Sequence, residues 1–261
     1  MPKENIERLK ALWEFQEMDP NDARSWSKPQ LRDHEMKELN NSGMVEIYNH
    51  QYLWDNRQYQ RVYDAFVDIW DRTDLWVTID RANLNTPNRG AKSFNGFIHW
   101  DADTTVSPLP IAVRGLLSLV DTDAEMGGFQ CVPGLFRTLE EWIKTQAADR
   151  NGWAPDASGF PIVNLQMKAG DLVIFNSLLA HGIRPNRSEN GVRMAQYISM
   201  SPAEEEDAEL RESRIRFWRD REVPNRKAFP GDPREWERTK YAAASLNELG
   251  RRLLGLDSWK A

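Results

Sequence analysis

Two histidines and one aspartate have the residue types and the spacing of a metal site. His99 and Asp101 lie two residues apart in the segment GFIHWD at 96–101, and His181 follows at the end of the apolar segment GDLVIFNSLLAH at 170–181. Side chains at positions i and i+2 of a strand share one face, so His99 and Asp101 form a two-point chelate. We expect the folding of the sheet to bring His181 opposite this pair. Two imidazoles and one carboxylate on one face of a metal leave three positions open, the arrangement of non-haem iron(II) oxygenases.

A downstream arginine gives this set a second ligand-binding group. Arg193 follows His181 by 12 residues and shares a strand face with Ala195 and Tyr197. Its planar guanidinium is suited to bidentate pairing with a carboxylate, as expected for a dicarboxylic co-substrate. Arg184 and Arg187 are rivals, but both lie in or beside the polar segment 185–190, where we expect solvated side chains. The pair Asn190-Gly191 predicts a two-residue hairpin that joins the His181 strand to the Arg193 strand.

Other interpretations of the same residues stay open. A lone His-x-Asp pattern arises by chance, and a buried histidine is more often hydrogen-bonded than bound to a metal. One alternative is a non-catalytic metal-binding jelly-roll protein, and another is a metal-dependent hydrolase or isomerase. Arg193 separates the first alternative from an oxygenase, because a pure metal binder does not need a clamp for a second carboxylate.

Short apolar runs separated by Gly, Pro and Asn turns must position these residues. Such a series predicts a mainly β fold with flanking helices (α+β), a double-sheet jelly roll, because a doubly wound sheet would need a helix after nearly every strand. The predicted strands are 75–84, 96–101, 114–121, 128–133, 162–168, 171–176, 179–185 and 192–200, with a helix around 138–149.

Helical segments are predicted on both sides of this core. The helical spacing of Leu9, Leu12 and Trp13 predicts a helical N-terminal buttress over 1–74, followed by a jelly-roll core over 75–200. C-terminal helices are predicted over 201–261, the first starting at the capping-box pattern SPAE at 201–204 and the last spanning about 235–254. The whole chain, 1–261, is interpreted as a single domain.

Three sequence blocks resemble the phytanoyl-CoA dioxygenase-like family of iron(II)/2-oxoglutarate oxygenases. They are HWD at 99–101, the stretch from Asp121 through GGFQCVPG at 127–134, and the stretch from Gly170 through His181 to Arg193. The resemblance covers about residues 76–200. In the family, Ser-His commonly follows the glycine that ends the second block, here Gly134. This chain has Leu135-Phe136 at those positions, so any role of that histidine is absent.

The resemblance implies a double-stranded β-helix of the cupin-like jelly-roll kind, whose helical N-terminal part buttresses one sheet, and a role for each of these residues. It implies that His99, Asp101 and His181 bind Fe(II), and that Arg193 pairs with the distal carboxylate of 2-oxoglutarate, with dioxygen as the oxidant. Buried amides such as Asn83 and Gln130 are further candidates for binding the metal-proximal end of 2-oxoglutarate. The implied activity is hydroxylation or oxidative dealkylation of a small-molecule metabolite, and Asp101 argues against halogenation.

Composition excludes several other classes of protein. The chain of 261 residues has a formal charge of −6, which argues against a protein that neutralises nucleic-acid phosphates, and no apolar run reaches the roughly 20 residues that span a bilayer. One cysteine, Cys131, excludes an intramolecular disulfide. With no apolar leader at the N-terminus, we expect a cytoplasmic protein whose partner is a small-molecule substrate.

Overall fold

The computed structural model describes residues 3–28, 30, 33–90, 92–224 and 229–260. Within these ranges, ten strands and eight α-helices alternate with two short 3-10 helices, Ala23–Ser27 and Lys37–Leu39. No helix among them is long and apolar enough to cross a membrane. The interpretation of 1–261 as one domain stays a prediction.

The strands form three antiparallel sheets. The largest sheet has five strands in the order β1-β3-β9-β4-β7, a smaller one has three in the order β6-β5-β8, and β10 pairs with β2. The strands are β1 Met44–Val45, β2 Leu75–Val77, β3 Ala82–Asn85, β4 Val113–Ser118, β5 Phe129–Cys131, β6 Val163–Asn164, β7 Leu172–Asn176, β8 His181–Ile183, β9 Arg193–Tyr197 and β10 Met200–Pro202. The predicted jelly-roll class is confirmed.

Alternation along the strands separates an interior from an outer face of the large sheet. Leu116 and Ala195 of the large sheet pack against Phe129 and Cys131 of the small one. The alternate residues, such as Met194, pack outward against the N-terminal helix. Because side chains of a strand point alternately to its two faces, every second residue of β4 and β9 faces the space between the sheets.

The N-terminal helices cover the outside of the large sheet. They are α1 Lys3–Phe15, α2 Gln51–Arg57 and α3 Gln60–Trp70. The apolar face of α3 places Val62, Tyr63 and Phe66 in a core shared with β2 and β10, as expected for an amphipathic helix on a sheet. The predicted buttress is therefore helical, although it also contains the short strand β1.

The remaining helices are α4 Pro133–Arg137, α5 Leu139–Lys144, α6 Ala208–Arg219, α7 Trp236–Lys240 and α8 Glu248–Leu254. The predicted helix start at 201–204 is wrong, because Ser201 and Pro202 pair with β2. The helix begins later, where the Asp207 carboxylate accepts a hydrogen bond from the Leu210 N–H. The predicted last helix over 235–254 is divided into α7 and α8.

Two predicted strands differ in the structure for identifiable reasons. The run 75–84 is divided between two sheets. At the break, the buried Arg57 guanidinium donates a hydrogen bond to the Asp80 carbonyl, in place of a donor from a neighbouring strand. The segment 96–101 makes one bridge and no regular strand. The N–H of His99 bonds to His181, that of Trp100 to Trp153 and that of Asp101 to Ser177, so three different segments share its donors.

The predicted hairpin between the His181 and Arg193 strands is also wrong. β8 pairs with β5 in the small sheet, whereas β9 pairs with β3 and β4 in the large one. The turn at Asn190-Gly191 therefore belongs to a connection that crosses between sheets. The face assignment survives this correction, because Arg193, Ala195 and Tyr197 still alternate with Met194 and Gln196.

Candidate metal centre

The structure brings His99, Asp101 and His181 together. One ligand atom from each lies within 4.8 Å of the other two. His99 Nε2 is 3.3 Å from Asp101 Oδ1, and His181 Nε2 is 3.6 Å from Asp101 Oδ2. Both imidazoles thus present the same ring nitrogen to the same carboxylate, around one point.

Backbone pairing holds the two histidines side by side. The His99 N–H donates to the His181 carbonyl at 2.8 Å, and the His181 N–H donates back to the His99 carbonyl at 3.0 Å. Directly opposite residues of an antiparallel pair project to the same face. Their ring centroids accordingly lie 4.5 Å apart.

A fixed ring orientation makes His181 available as a ligand. Its Nδ1 lies 2.8 Å from the Leu179 carbonyl, which assigns the proton to Nδ1 and leaves the lone pair on Nε2. Phe129 and Phe175 pack against the ring. Burial, followed by the nearby His99, lowers the pKa of His181 to about 4. The imidazole is therefore neutral at neutral pH, the form that binds metals.

The carboxylate of Asp101 is kept ionised. Burial alone would raise its pKa, but the side-chain contact with His99 and the positive charge of Arg114 hold the pKa well below its usual range. Arg114 donates from Nε to Asp101 Oδ2 at 3.2 Å. An anionic oxygen ligand beside two imidazole nitrogens is the donor set expected for a divalent transition metal.

These three residues open into a cavity of about 470 Å³. Its wall includes Arg81 and Arg114, together with apolar side chains such as Phe97 and Trp153. A concave apolar site with a few convergent polar groups is typical of a small-molecule binding site.

Comparison with known proteins agrees with this geometry. The family model for phytanoyl-CoA dioxygenase (PhyH) matches residues 5–195. The chain belongs to the phytanoyl-CoA dioxygenase family. Its predicted cofactors, iron(II), 2-oxoglutarate and dioxygen, are those of this family, and that prediction is confirmed.

Individual relatives are distant. Ava biosynthesis cluster protein O of Aspergillus versicolor is 24% identical over 169 residues, which are 58% of this chain and 54% of that protein. A Dictyostelium discoideum protein named for phytanoyl-CoA dioxygenase is 23% identical over 223 residues, 70% of this chain and 63% of its own length. The chain thus spans just over half to under two thirds of these relatives. The structure of GlcNAc Inducible Gene 2, GIG2, from Candida albicans aligns with a TM-score of 0.56 at 12% identity, covering 98% of this chain and 77% of that one, and shares the fold.

As a member of this dioxygenase family, the chain should offer donors for a dicarboxylate, and Arg193 fits. It is only 2% exposed, its Nη1 donates to Asn83 Oδ1 at 2.6 Å, and its Nη2 has no hydrogen-bond partner among the described residues. A buried guanidinium with an unused donor lowers stability unless an anion accepts the remaining hydrogen bond. Arg193 and Asn83 do not themselves line the cavity. Met44 lines it, and the Met44 sulfur lies 4.0 Å from Asn83 Nδ2.

Two residues that the sequence interpretation missed also present unused donors. Asn85 lies directly opposite Arg193 in the sheet. The Lys92 ammonium donates to its Oδ1, which leaves Asn85 Nδ2 buried without a partner among the described residues. Tyr197 lines the cavity, and its hydroxyl is also buried without a hydrogen-bond partner among the described residues. Asn85 stands two residues after Asn83, so strand alternation was the signal that would have found it.

Two expectations are corrected here. Gln130 lies on the opposite face of β5 from Phe129 and Cys131, and its amide donates to the Phe97 carbonyl at 3.2 Å, so it is not retained as a co-substrate ligand. Arg184 is buried, not solvated: its guanidinium donates to the carbonyls of Asp123, Ala124 and Leu165. Arg187 is exposed, as predicted.

Arg114 was also missed. It faces the interior with Leu116 and opposes Phe175 across the β4–β7 pairing. The signal was an arginine in the apolar strand VRGLLS, on the face that the strand turns inward.

Proposed function

We propose that this chain is an iron(II)- and 2-oxoglutarate-dependent dioxygenase that hydroxylates a small-molecule metabolite, with succinate and carbon dioxide as co-products. The observation that carries the proposal is the convergence of His99, Asp101 and His181 on one cavity. Where the hydroxylated carbon bears nitrogen or oxygen, the product can collapse with C–N or C–O cleavage, so oxidative dealkylation is a variant of the same reaction.

In this proposal the three residues hold ferrous iron. When bound together, iron and 2-oxoglutarate supply a two-electron oxidation by dioxygen, in which one oxygen atom enters succinate and the other enters the substrate. His181 contributes a neutral nitrogen oriented by the Leu179 carbonyl. Asp101 would contribute the one negative charge, and a set of only three protein ligands would leave room on the ion for the co-substrate and dioxygen.

The distal carboxylate of 2-oxoglutarate is assigned to Arg193. The unused Nη2 of this arginine and the unused Nδ2 of Asn85 come from directly opposed residues, and a carboxylate has two oxygens to accept from both. Asn83 holds the other side of the guanidinium and keeps it in place. Asn83 therefore orients the arginine and is not assigned to the metal-proximal end of the co-substrate.

Aromatic side chains pack around both histidines of the site. Phe129 stacks on the His181 ring, Phe175 contacts it at a tilt, and Phe97 packs against His99 with ring centroids 4.9 Å apart. A dry lining protects a reactive oxidant from side reactions and strengthens the electrostatic contacts inside the site.

The proposal is tested by anaerobic addition of ferrous iron and 2-oxoglutarate to the purified protein. We expect a metal-to-ligand charge-transfer band in the visible and, after air is admitted, slow formation of succinate that a fitting substrate accelerates. A protein that binds iron but shows neither the band nor succinate would be a metal-binding jelly-roll protein without this chemistry.

A further inference from the structure

One arginine of the cavity is left with free donors beside the candidate metal ligands. Arg114 uses Nε for Asp101, while neither terminal guanidinium nitrogen has a hydrogen-bond partner among the described residues. Its side chain is 38% exposed and lines the cavity. A guanidinium edge that faces a cavity is suited to accept an anionic group from a ligand.

The other cations of the site already have counter-charges in the proposed complex. Arg81 is paired with Asp80 at 2.8 Å. Arg193 is assigned to the distal carboxylate of 2-oxoglutarate. The other carboxylate of 2-oxoglutarate and the carboxylate of Asp101 together balance the two positive charges of a divalent ion. Arg114 then keeps a single positive charge without a partner. In a partly desolvated cavity, one unpaired cation favours a ligand with one negative charge.

The surroundings of Arg114 indicate what the rest of that ligand is. Met36 and Trp153 line the same cavity and are 42% and 53% exposed. Phe97 lines the cavity as well, with its ring centroid 4.9 Å from that of His99. Large exposed apolar side chains at the edge of a cavity mark a surface that a ligand covers.

We propose that Arg114 binds the carboxylate of a monoanionic substrate whose body is apolar. The inference rests on the proposed function, since it names the substrate class of that site. It also predicts a coupling: in the metal-free protein Asp101 competes for Arg114, whereas a bound ion takes the charge of Asp101 and frees the guanidinium for the substrate. Binding of the metal and of the acid therefore strengthen each other.

The test compares an acid with its neutral isostere. Binding of 4-phenylbutyrate and of 4-phenylbutyramide is measured by calorimetry, without oxygen, on the protein loaded with Ni(II) and 2-oxoglutarate. We expect the acid to bind the original protein about tenfold or more tightly than the amide, and this preference to vanish in Arg114→Met and to return in part in Arg114→Lys. Phenylphosphonate distinguishes the anion: a dianion that binds more tightly than the carboxylate would contradict the assignment.

Two further measurements separate this inference from the proposed function. In the metal-free protein, Asp101→Ala should raise the affinity for the acid and leave the affinity for the amide unchanged. This outcome does not depend on whether the protein forms succinate. At saturating Fe(II), the Fe(II)–2-oxoglutarate absorption band should keep its co-substrate dependence in Arg114→Lys, which retains a positive charge beside Asp101. Equal binding of acid and amide, binding of neither, or a loss of 2-oxoglutarate affinity in Arg114→Lys would overturn the inference, since the last result would make Arg114 a co-substrate residue.

Discussion

His99 and His181 are directly opposed residues that exchange both of their backbone hydrogen bonds. The distance between the two imidazoles is therefore set by main-chain pairing and not by side-chain packing alone. Asp101 reaches the same point two residues later, although the segment that carries it is not a regular strand. The relative position of the two histidines therefore depends on this one bridge between the segment 96–101 and β8.

Replacing Gly182 should break this pairing. A Cβ at position 182 would lie 1.8 Å from the Phe97 carbonyl oxygen, a backbone atom that cannot move without displacing His99. We expect Gly182→Ala to lower metal affinity by about 10- to 100-fold, as for the loss of other supports of a metal ligand. Calorimetric titration with Ni(II) measures the affinity. Gly134→Ala is the control, because its Cβ meets only the Phe160 ring; an equal loss in both variants would contradict the explanation.

Removal of either histidine should abolish metal-dependent turnover, but the two should differ in stability. His99 has a side chain that is 30% exposed, so His99→Ala should change the unfolding free energy of the metal-free protein by about 0.5 kcal/mol or less. His181 is buried against two phenylalanine rings, so His181→Ala should destabilise it by about 1–3 kcal/mol. Urea unfolding measures both. If His181→Ala were the milder change, the packing described for β8 would be wrong.

Three arginines around the co-substrate site should respond differently to replacement by methionine. Arg193→Met should weaken 2-oxoglutarate by about 30- to 4,000-fold, corresponding to the roughly 2–5 kcal/mol lost when a buried charged pair loses one partner. Arg184→Met should lower stability, because three backbone carbonyls lose their donor. Arg187→Met, on the exposed turn, should change neither. The absorption band and thermal unfolding are measured for each variant, and a large affinity loss in Arg184→Met alone would assign the clamp to Arg184, the residue that follows β8.

Lys92 should give the protein a distinctive pH dependence of stability. Burial lowers the pKa of Lys92 from 10.5 to about 7. Between these values the unfolded chain binds more protons than the folded one, so the unfolding free energy should rise as the pH increases from about 7 to 10.5. Below pH 7 the contribution is constant and unfavourable. Lys92→Met should flatten this rise in urea titrations across the range, and parallel curves for both proteins would show that another group is responsible.

The sequence predicted the composition of the site better than its support. His99 and Asp101 share a face because of their spacing, which holds even where hydrogen bonding is irregular. Arg193 faces the interior because alternation in β9 does not depend on the partner strand. These inferences use only local geometry, which the residues themselves determine.

The relations that required strand pairing were not accessible from one sequence. Asn190-Gly191 is a strong local turn signal, yet the assignment of β9 to the large sheet depends on its contacts with β3 and β4. The position of Asn85 opposite Arg193 follows from the register between two strands far apart in sequence. The contact of Arg114 with Asp101 depends on how the irregular segment 96–101 folds back over β4. The contact of the Gln130 amide with the Phe97 carbonyl likewise depends on a pairing between segments that the sequence alone does not reveal.

The crossing between β8 and β9 also has a mechanical consequence. His181 belongs to the small sheet and Arg193 to the large one, so a ligand that touches both is anchored in two separate layers. Such a ligand cross-links the two sheets, because the sheets cannot separate until the ligand dissociates from one of them. Binding of the ligand should therefore slow the separation of the two sheets.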